Sequence, residues 1–434
     1  MEWKLLFHFS VFRVYRREGR TKDDDRRRLW KREGNMSVTE IKEVLQNCLD
    51  RAVAENEVAG CTFCLIRNGE EKLYLESGYA DREAEKPIAR DSMYRMYSMS
   101  KPVTAAAAMK LIEDGYVDLQ DPVFRYLPTY RKQYYMTPGG ALRPVSADSP
   151  MRVRDLLNMT SGLVYPDDVT RPGKETGAIY EDAIRRLGTD NAMTTQEFAE
   201  RIGECALLFA PGSSWNYSVS ADILGAVIEK ITGMSFGEYL KESILDPVGM
   251  EDTAFYIPEE KKSRLVTAYM NREDQPGEEL VPYTGNHLAI RNDGGANPFE
   301  SGGAGLFSTL DDYRKFTGML MNHGKAENGK QVLRPGTVRF FSSGKLSSWQ
   351  QKGFDSWGGL AGHTYANLNR VMVDPDQAVT IGHKGEYGWD GWLGVYFAND
   401  PQVHQTILLM MNKKDYGTDR LTREIRNIVN SETE

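Results

Sequence analysis

Cysteine is scarce in this chain: Cys48, Cys61, Cys64 and Cys205 are the only four in 434 residues. Four thiols cannot staple a chain of this length, which excludes a disulfide framework. No apolar run approaches the roughly 18 residues that a helix needs to cross a bilayer, so a membrane partner is not expected. Basic residues are not in excess. Lys and Arg number 54 against 62 Asp and Glu, for a net charge of −8 and a pI near 5.5, which argues against a nucleic-acid partner. The six histidines (8, 287, 323, 363, 383 and 404) are scattered singly, so neither a metal site nor a cofactor is expected. The Gly-x-Ser-x-Gly elbow, the phosphate-binding Gly-rich loop and His-Glu-x-x-His are all missing.

What remains is a globular composition, 40 % apolar and 27 % charged. The length suits two or three domains, or one large two-part fold. Residues 1–35 stand apart, with eleven Lys/Arg against six Asp/Glu, while the other 399 residues carry −13. Their apolar stretch, Leu5 to Phe12, is short, contains His8 and lacks a small-residue cleavage site, so it reads as a charged, poorly ordered extension rather than a secretory signal. Met36 precedes Ser37-Val38-Thr39-Glu40, a helix-cap pattern. This predicts a natural start at Met36, a dispensable extension and a cytoplasmic location.

Beyond Met36 the periodicity predicts a helix over 38–54, then two strands, Gly60–Arg67 and Lys72–Gly78, joined by the turn signal Asn68-Gly69. A helix follows from about Met99 to Asp114. Helical patches at 152–158, 191–203, 219–232 and 310–322 are broken by Gly/Pro-rich loops. Strand signals return at Trp392–Ala398 and Gln405–Met411, with a closing helix at about 417–430. The order predicts an α+β fold: an antiparallel sheet from residues 36–125 and 331–434, flanked by the N- and C-terminal helices, with a mostly helical region, 126–330, inserted. The cleft between the two parts is the expected active site. Cys61-x-x-Cys64 lies in a strand-like run, where positions three apart face opposite ways, and reads as two buried, inert thiols.

Ser-x-x-Lys occurs twice, about as often as chance allows. Ser342-Ser343-Gly344-Lys345 reads as a polar loop with no following helix. Ser98-Met99-Ser100-Lys101 differs, because Pro102 and an alanine run follow it. Proline suits the first helical turn and alanine sustains the helix. Ser98 then lies at a helix N-terminus, with Lys101 one turn on along the same face. A serine hydroxyl is a poor nucleophile until a base takes its proton. A partly buried lysine can be that base, because desolvation and the helix N-terminus both disfavour its charged form.

Six segments in order carry a resemblance: MYRMYSMSKPVTAAA, LQDPVFRYLP, RVRDLLNMTSGL, PGSSWNYSVSADILGAVIEKITG, SGGAGLFSTLDDYRKF and GEYGWDGWLGVYFANDP. Together they resemble the serine beta-lactamase and penicillin-binding-protein superfamily, on the class C branch that includes family VIII carboxylesterases. The resemblance covers about 60–412, and the six segments run from Met93 to Pro401. The resemblance implies a beta-lactamase/transpeptidase-like fold. It also implies Ser98 as nucleophile, Lys101 as its base partner, and Tyr217 as a catalytic tyrosine that exists partly as phenolate beside an ammonium. The backbone N–H groups of Ser98 and Trp392 would form the oxyanion hole. Asp222 is expected either to orient this region or to be a helix-surface carboxylate. Three departures stand out. Met159 replaces a usual His. Val219 replaces the Asn of Tyr-x-Asn. Trp389-Asp390-Gly391 stands where lactamases carry Lys-Thr-Gly, a placement preferred over His383-Lys384-Gly385, whose spacing to Asp400-Pro401 is too long. Val219, Trp389, Asp390 and Gly391 would line the substrate pocket. The implied activity is a carboxylesterase for short-chain or aryl esters of small molecules. A beta-lactamase, a D-amino-acid peptidase or an acyltransferase on the same fold is the alternative.

Overall fold

Asn68 and Gly69 both adopt positive φ, 53° and 76°, the combination a tight two-residue hairpin turn requires. They join β1 (Gly60–Arg67) to β2 (Glu70–Asp81). The computed structural model describes residues 38–272, 279–344 and 346–433. The charged extension 1–35 and Lys345 therefore lie outside the described residues.

One eight-stranded antiparallel sheet organises the chain from Val38 onward. With β3 (Lys86–Pro87), β4 (His363–Ala366), β5 (Asn369–Met372), β6 (Tyr387–Asp390), β7 (Tyr396–Asp400) and β8 (Gln405–Met411), its order is β4-β5-β6-β7-β8-β1-β2-β3. The two ends of the chain meet at the centre, where β1 pairs with β8, Phe63 opposite Leu409. Both strands are buried along almost their whole length, as expected for strands covered on both faces. Cys61 and Cys64 are buried here as free thiols, each pushed up to about 12 by burial, so both stay protonated and inert.

Helices cover the two faces. α1 (Val38–Ala54) packs on β2, and the closing helix α5 (Arg420–Asn430) packs on α1. The other face meets the helical region, which includes α2 (Ser100–Glu113), α3 (Ser220–Thr232) and α4 (Leu310–Met321). α4 lies against β8, and Tyr313 packs on Phe397 at 5.4 Å. Alternation along the strands divides the two sides. Trp389 opposite Phe397 faces the helical region, while Asp390 opposite Tyr396, at the end of β6, lies on the Arg370 side of the strand.

Three readings of the sequence differ from the structure, and one is the strand expected over Trp392–Ala398, which instead runs Tyr396–Asp400 after a turn at Trp392–Gly394. A 16-residue helix, Arg171–Arg186, was not anticipated. Its Pro172 and Gly173 read as loop residues but occupy the first turn, capped by the Thr170 hydroxyl. A short helix, Ser348–Phe354, does follow the second Ser-x-x-Lys. Ser342 and Ser343 bond back to the carbonyls of Val338 and Phe340 at the end of the preceding helix.

α5 is tied to the sheet by a buried ion pair, Arg426 to Glu386 at 2.6 Å, with side chains 4 % and 2 % exposed. Breaking such a pair strands a charge in low dielectric, whereas replacing both partners need not. Glu386→Ala should therefore cost about 3–5 kcal/mol, read as a lowered melting temperature. The double change Glu386→Leu/Arg426→Met should lie closer to the unaltered protein.

Candidate active site

A turn of 3-10 helix, Tyr97–Met99, leads directly into α2. Tyr97 holds φ at +42°, a costly conformation for a bulky side chain, which persists only where the surroundings enforce it. Between Ser92 and Met109 every residue is buried except Ser98. The strained turn thus presents one hydroxyl to solvent at the start of a helix.

Behind it sits Lys101, 0 % exposed. Its Nζ lies 3.0 Å from Ser98 Oγ, 3.0 Å from the Tyr165 hydroxyl and 2.8 Å from the Gly303 carbonyl. Burial lowers its pKa from an ordinary 10.5 to about 7, against the opposing pull of Asp222 and Asp390. Nζ donates to all three, and once the amine loses its extra proton its lone pair can instead accept from the Ser98 hydroxyl.

Gly303 is held in place by Asp222, whose Oδ1 accepts from the Gly303 N–H at 3.0 Å and from the Ser301 hydroxyl at 2.5 Å. Asp222 is 1 % exposed, so it is an internal brace rather than a helix-surface carboxylate. A side chain at position 303 would meet Asp222 Oδ2 at 2.8 Å, and glycine is what allows the approach. The Gly302 carbonyl also accepts from Thr104 on α2 at 2.7 Å.

Tyr217 precedes α3. Its hydroxyl accepts from Trp389 Nε1 at 3.1 Å, and the nearby Ser98 hydroxyl favours its anion. Its ring centroid lies 4.6 Å from Lys101 Nζ. Burial pushes the phenol far above its usual range, outweighing the lowering by Ser98 and Trp389. This corrects the expectation of a partial phenolate. Burial outweighs any help from the neighbouring amine, and Tyr217 is held as a neutral phenol able to accept and donate hydrogen bonds.

β6 delivers the third segment. Gly391 lies against the nucleophile turn, where an added Cβ would meet the Met96 carbonyl at 2.4 Å. Trp389 is 2 % exposed and packs on Tyr217 and Tyr365 at 5.5 and 5.1 Å. Asp390 keeps 23 % of its side chain accessible and pairs with buried Arg370 at 3.2 Å. Burial raises the Asp390 pKa, while Arg370 and Lys101 oppose the rise. Trp392 stacks on His287 at 4.1 Å and donates its Nε1–H to Asp415 at 2.6 Å. Burial lowers His287 to about 4, leaving its ring neutral.

These groups surround a cleft of about 400 Å³ whose walls include Ser98, Tyr165, Tyr217, Trp357, Trp389, Asp390 and Trp392. Larger clefts, about 500, 520 and 620 Å³, open beside Asn68, Arg291 and Gln196. None of them is lined by an accessible serine in contact with a buried lysine, so the side chains and not the volume mark the candidate site. Of the residues expected in the pocket, Trp389 and Asp390 line the cleft, whereas Gly391 packs against Met96 and Val395. Val219 does not line the cleft. It is 0 % exposed and packs in the core as the cap residue of α3, because the turn from Tyr217 into the helix directs its side chain inward. His383, of the competing motif, pairs instead with Asp400 at 2.5 Å. Sequence reading missed Tyr165 and the Gly303 carbonyl. Tyr165 falls three residues past the Met159–Gly162 segment that the reading did use.

The beta-lactamase family model matches residues 45–429, and the chain belongs to that family. Esterase EstB of Burkholderia gladioli is 29 % identical over 89 % of this chain and 94 % of its own length. Protein Rv1367c of Mycobacterium tuberculosis is 29 % identical over 77 % of this chain and 81 % of its own. Among solved structures, EstCE1, a hydrolase with promiscuous acyltransferase activity, superposes with a TM-score of 0.73 at 26 % identity, covering 90 % of this chain and 99 % of that one. Simvastatin synthase (LovD) of Aspergillus terreus shares the fold, with a TM-score of 0.73 at 19 % identity over 91 % and 99 % of the two chains. Among the described residues, no helix is long and apolar enough to cross a membrane.

The lowered lysine pKa makes a prediction about Ser98. Below pH 7 Lys101 is protonated and cannot accept the serine proton; above it, the free amine can. The second-order rate of a serine-directed phosphonate should rise with pH through a midpoint near 7, and Lys101→Met should abolish the rise. Stability follows the same group. Between about 7 and 10.5 the unfolded chain binds a proton that the folded chain does not. Lys101's contribution to stability should therefore increase with pH across that window and stay flat below it.

Proposed function

We propose that this protein is a serine carboxylesterase that cleaves short-chain or aryl esters through an acyl-enzyme on Ser98. The observation that carries the reading is the contact of a buried, neutral Lys101 amine with the one accessible hydroxyl of the helix start. Lys101 Nζ takes the Ser98 proton as Oγ attacks the ester carbonyl. The backbone N–H groups of Ser98 and Trp392 receive the developing oxyanion. Tyr217, between Ser98 and Trp389, relays the proton to the departing alkoxide. Water then repeats the sequence on the acyl-serine. The likeness to EstB and to EstCE1 supports ester chemistry over amide chemistry.

The walls of the cleft support the same choice. Trp389 and Asp390 stand at the third segment, where a lactam carboxylate would need a cation, and Val219 offers no amide. A charge-assisted hydrogen bond is worth about 1.5–3 kcal/mol, so its absence weakens capture of a carboxylate-bearing lactam by about 10- to 100-fold. A neutral ester needs no such anchor. Acyl transfer to an alcohol is the second reading, favoured by the aromatic lining of the cleft, which suits an organic acceptor in place of water. A cytoplasmic setting belongs to the same proposal and agrees with four unpaired cysteines.

Two measurements test it. A nitrophenyl butyrate should exceed a chromogenic cephalosporin in kcat/KM by more than about 10²-fold, by the arithmetic of a lost anchor. Comparable values would replace the esterase reading with the lactamase one. A phosphonate should add once, on Ser98, as located by mass spectrometry. Full activity in Ser98→Ala would overturn the assignment.

A further inference from the structure

Arg370, on β5, carries a guanidinium, yet only 1 % of its side chain is exposed. Its Nη2 donates to the Phe397 carbonyl at 3.1 Å, and its guanidinium lies 4.6 Å over the Tyr396 ring. Its Nε has no hydrogen-bond partner. Among the described residues its one carboxylate partner is Asp390, reached by Nη1 at 3.2 Å. Asp390 in turn is the last residue of β6. It lies between Arg370 and the cleft, with 23 % of its side chain open. The loop at Gly417 closes over it so tightly that a Cβ there would sit 2.7 Å from Asp390 Oδ2.

A guanidinium in this setting is a carboxylate site, since its planar donors match two carboxylate oxygens and the low dielectric strengthens the bond. Here the carboxylate comes from the protein itself. We propose that Asp390 is a built-in plug: it occupies the anion position in front of Arg370 and thereby closes the cleft to substrates that carry a carboxylate. The inference rests on the cleft being the ester site and adds which esters it refuses. Removing the plug leaves Arg370 buried and unpaired, a costly state that a small carboxylate from solution can relieve.

The full chain carrying Asp390→Gly is the test, with Asp390→Ser as a second variant should the first not fold. One arm needs no turnover. Sodium acetate, compared with sodium chloride at equal ionic strength, should raise the melting temperature of the plug variants by several degrees more than that of the unaltered protein. The other arm compares nitrophenyl hemisuccinate with nitrophenyl butyrate, which differ chiefly in a terminal carboxylate. The ratio of kcat/KM values, hemisuccinate over butyrate, should rise about tenfold or more on removing the plug. Arg370→Met in the same background should cancel both effects. The control Asp415→Asn removes a rim anion that does not face Arg370, and should give neither. An unchanged ratio with butyrate activity retained, or an equal gain in Asp415→Asn, would overturn the proposal. If the unaltered protein cleaves neither ester, the esterase reading fails by itself, and the acetate arm still decides the plug.

Discussion

A lysine amine buried against a serine hydroxyl is the constraint to which the rest of this structure answers. Water cannot reach Lys101 (0 % exposed), so its three hydrogen-bond positions must be filled from the chain, or the desolvation is uncompensated. Each partner comes from a different segment. Ser98 comes from the strained turn, Tyr165 from the loop after the Thr160-Ser161-Gly162 run, and the Gly303 carbonyl from the Gly-rich run before α4. Each of these needs its own support. Asp222 holds Gly303, Thr104 holds Gly302, and the Ser100 hydroxyl accepts from the Leu306 N–H at 3.0 Å. The Tyr313 hydroxyl, from α4, binds the Met99 carbonyl at 2.8 Å. A three-coordinate amine thus fixes the mutual positions of α2, α3 and α4.

The sheet enters this arrangement at one place, where β6 ends against the nucleophile turn. Gly391 permits the contact with Met96, and Trp389 then reaches across to the Tyr217 hydroxyl. Around that bond the rings of Trp215, Tyr365 and Trp357 pack edge-on or tilted at 5.0–5.4 Å. Such contacts hold Tyr217 by shape as well as by hydrogen bonding. A phenol kept so dry stays neutral, which suits a relay that must hold a proton and then release it.

What was legible in the sequence was local. The Asn68-Gly69 turn, the helix over 38–54 and the Ser98–Lys101 pair with its proline and alanines all state their geometry within a few residues. Tyr217 and the third segment were reached through resemblance, because neither has a periodicity of its own. The neutral state of Tyr217 could not be read in this way. It depends on burial by Trp389 and Tyr365, which lie well over a hundred residues away in the chain. Tyr165, the Gly303 carbonyl and Arg370 were illegible for the same reason. A tyrosine, a backbone oxygen and a strand arginine carry no signature; the first two meet Lys101 only when segments 64 and 202 residues away fold against it, and Arg370 meets Asp390 across neighbouring strands. Val219 shows the converse error: proximity to Tyr217 in sequence suggested the cleft, but a helix cap turned the side chain into the core.

The carboxylates around the site fit the proposed cycle better than they fit the resting state. With Lys101 neutral, Asp222 and Asp390 have no charge to balance at Nζ. In the proposed cycle the Ser98 proton would make Lys101 an ammonium for the lifetime of the oxyanion, and both carboxylates favour that charge. Their effect is therefore larger in the transition state than before it, which is the condition for lowering a barrier. A cation at position 389 or 390 would reverse the sign, opposing the transient ammonium while holding a substrate carboxylate in the ground state. Replacing such a cation by Trp389 and by Asp390, the latter paired to Arg370 on its far side, accordingly changes two things in the same direction. It removes an anchor that neutral esters do not use, and it eases proton uptake by a lysine that has no water to stabilise it.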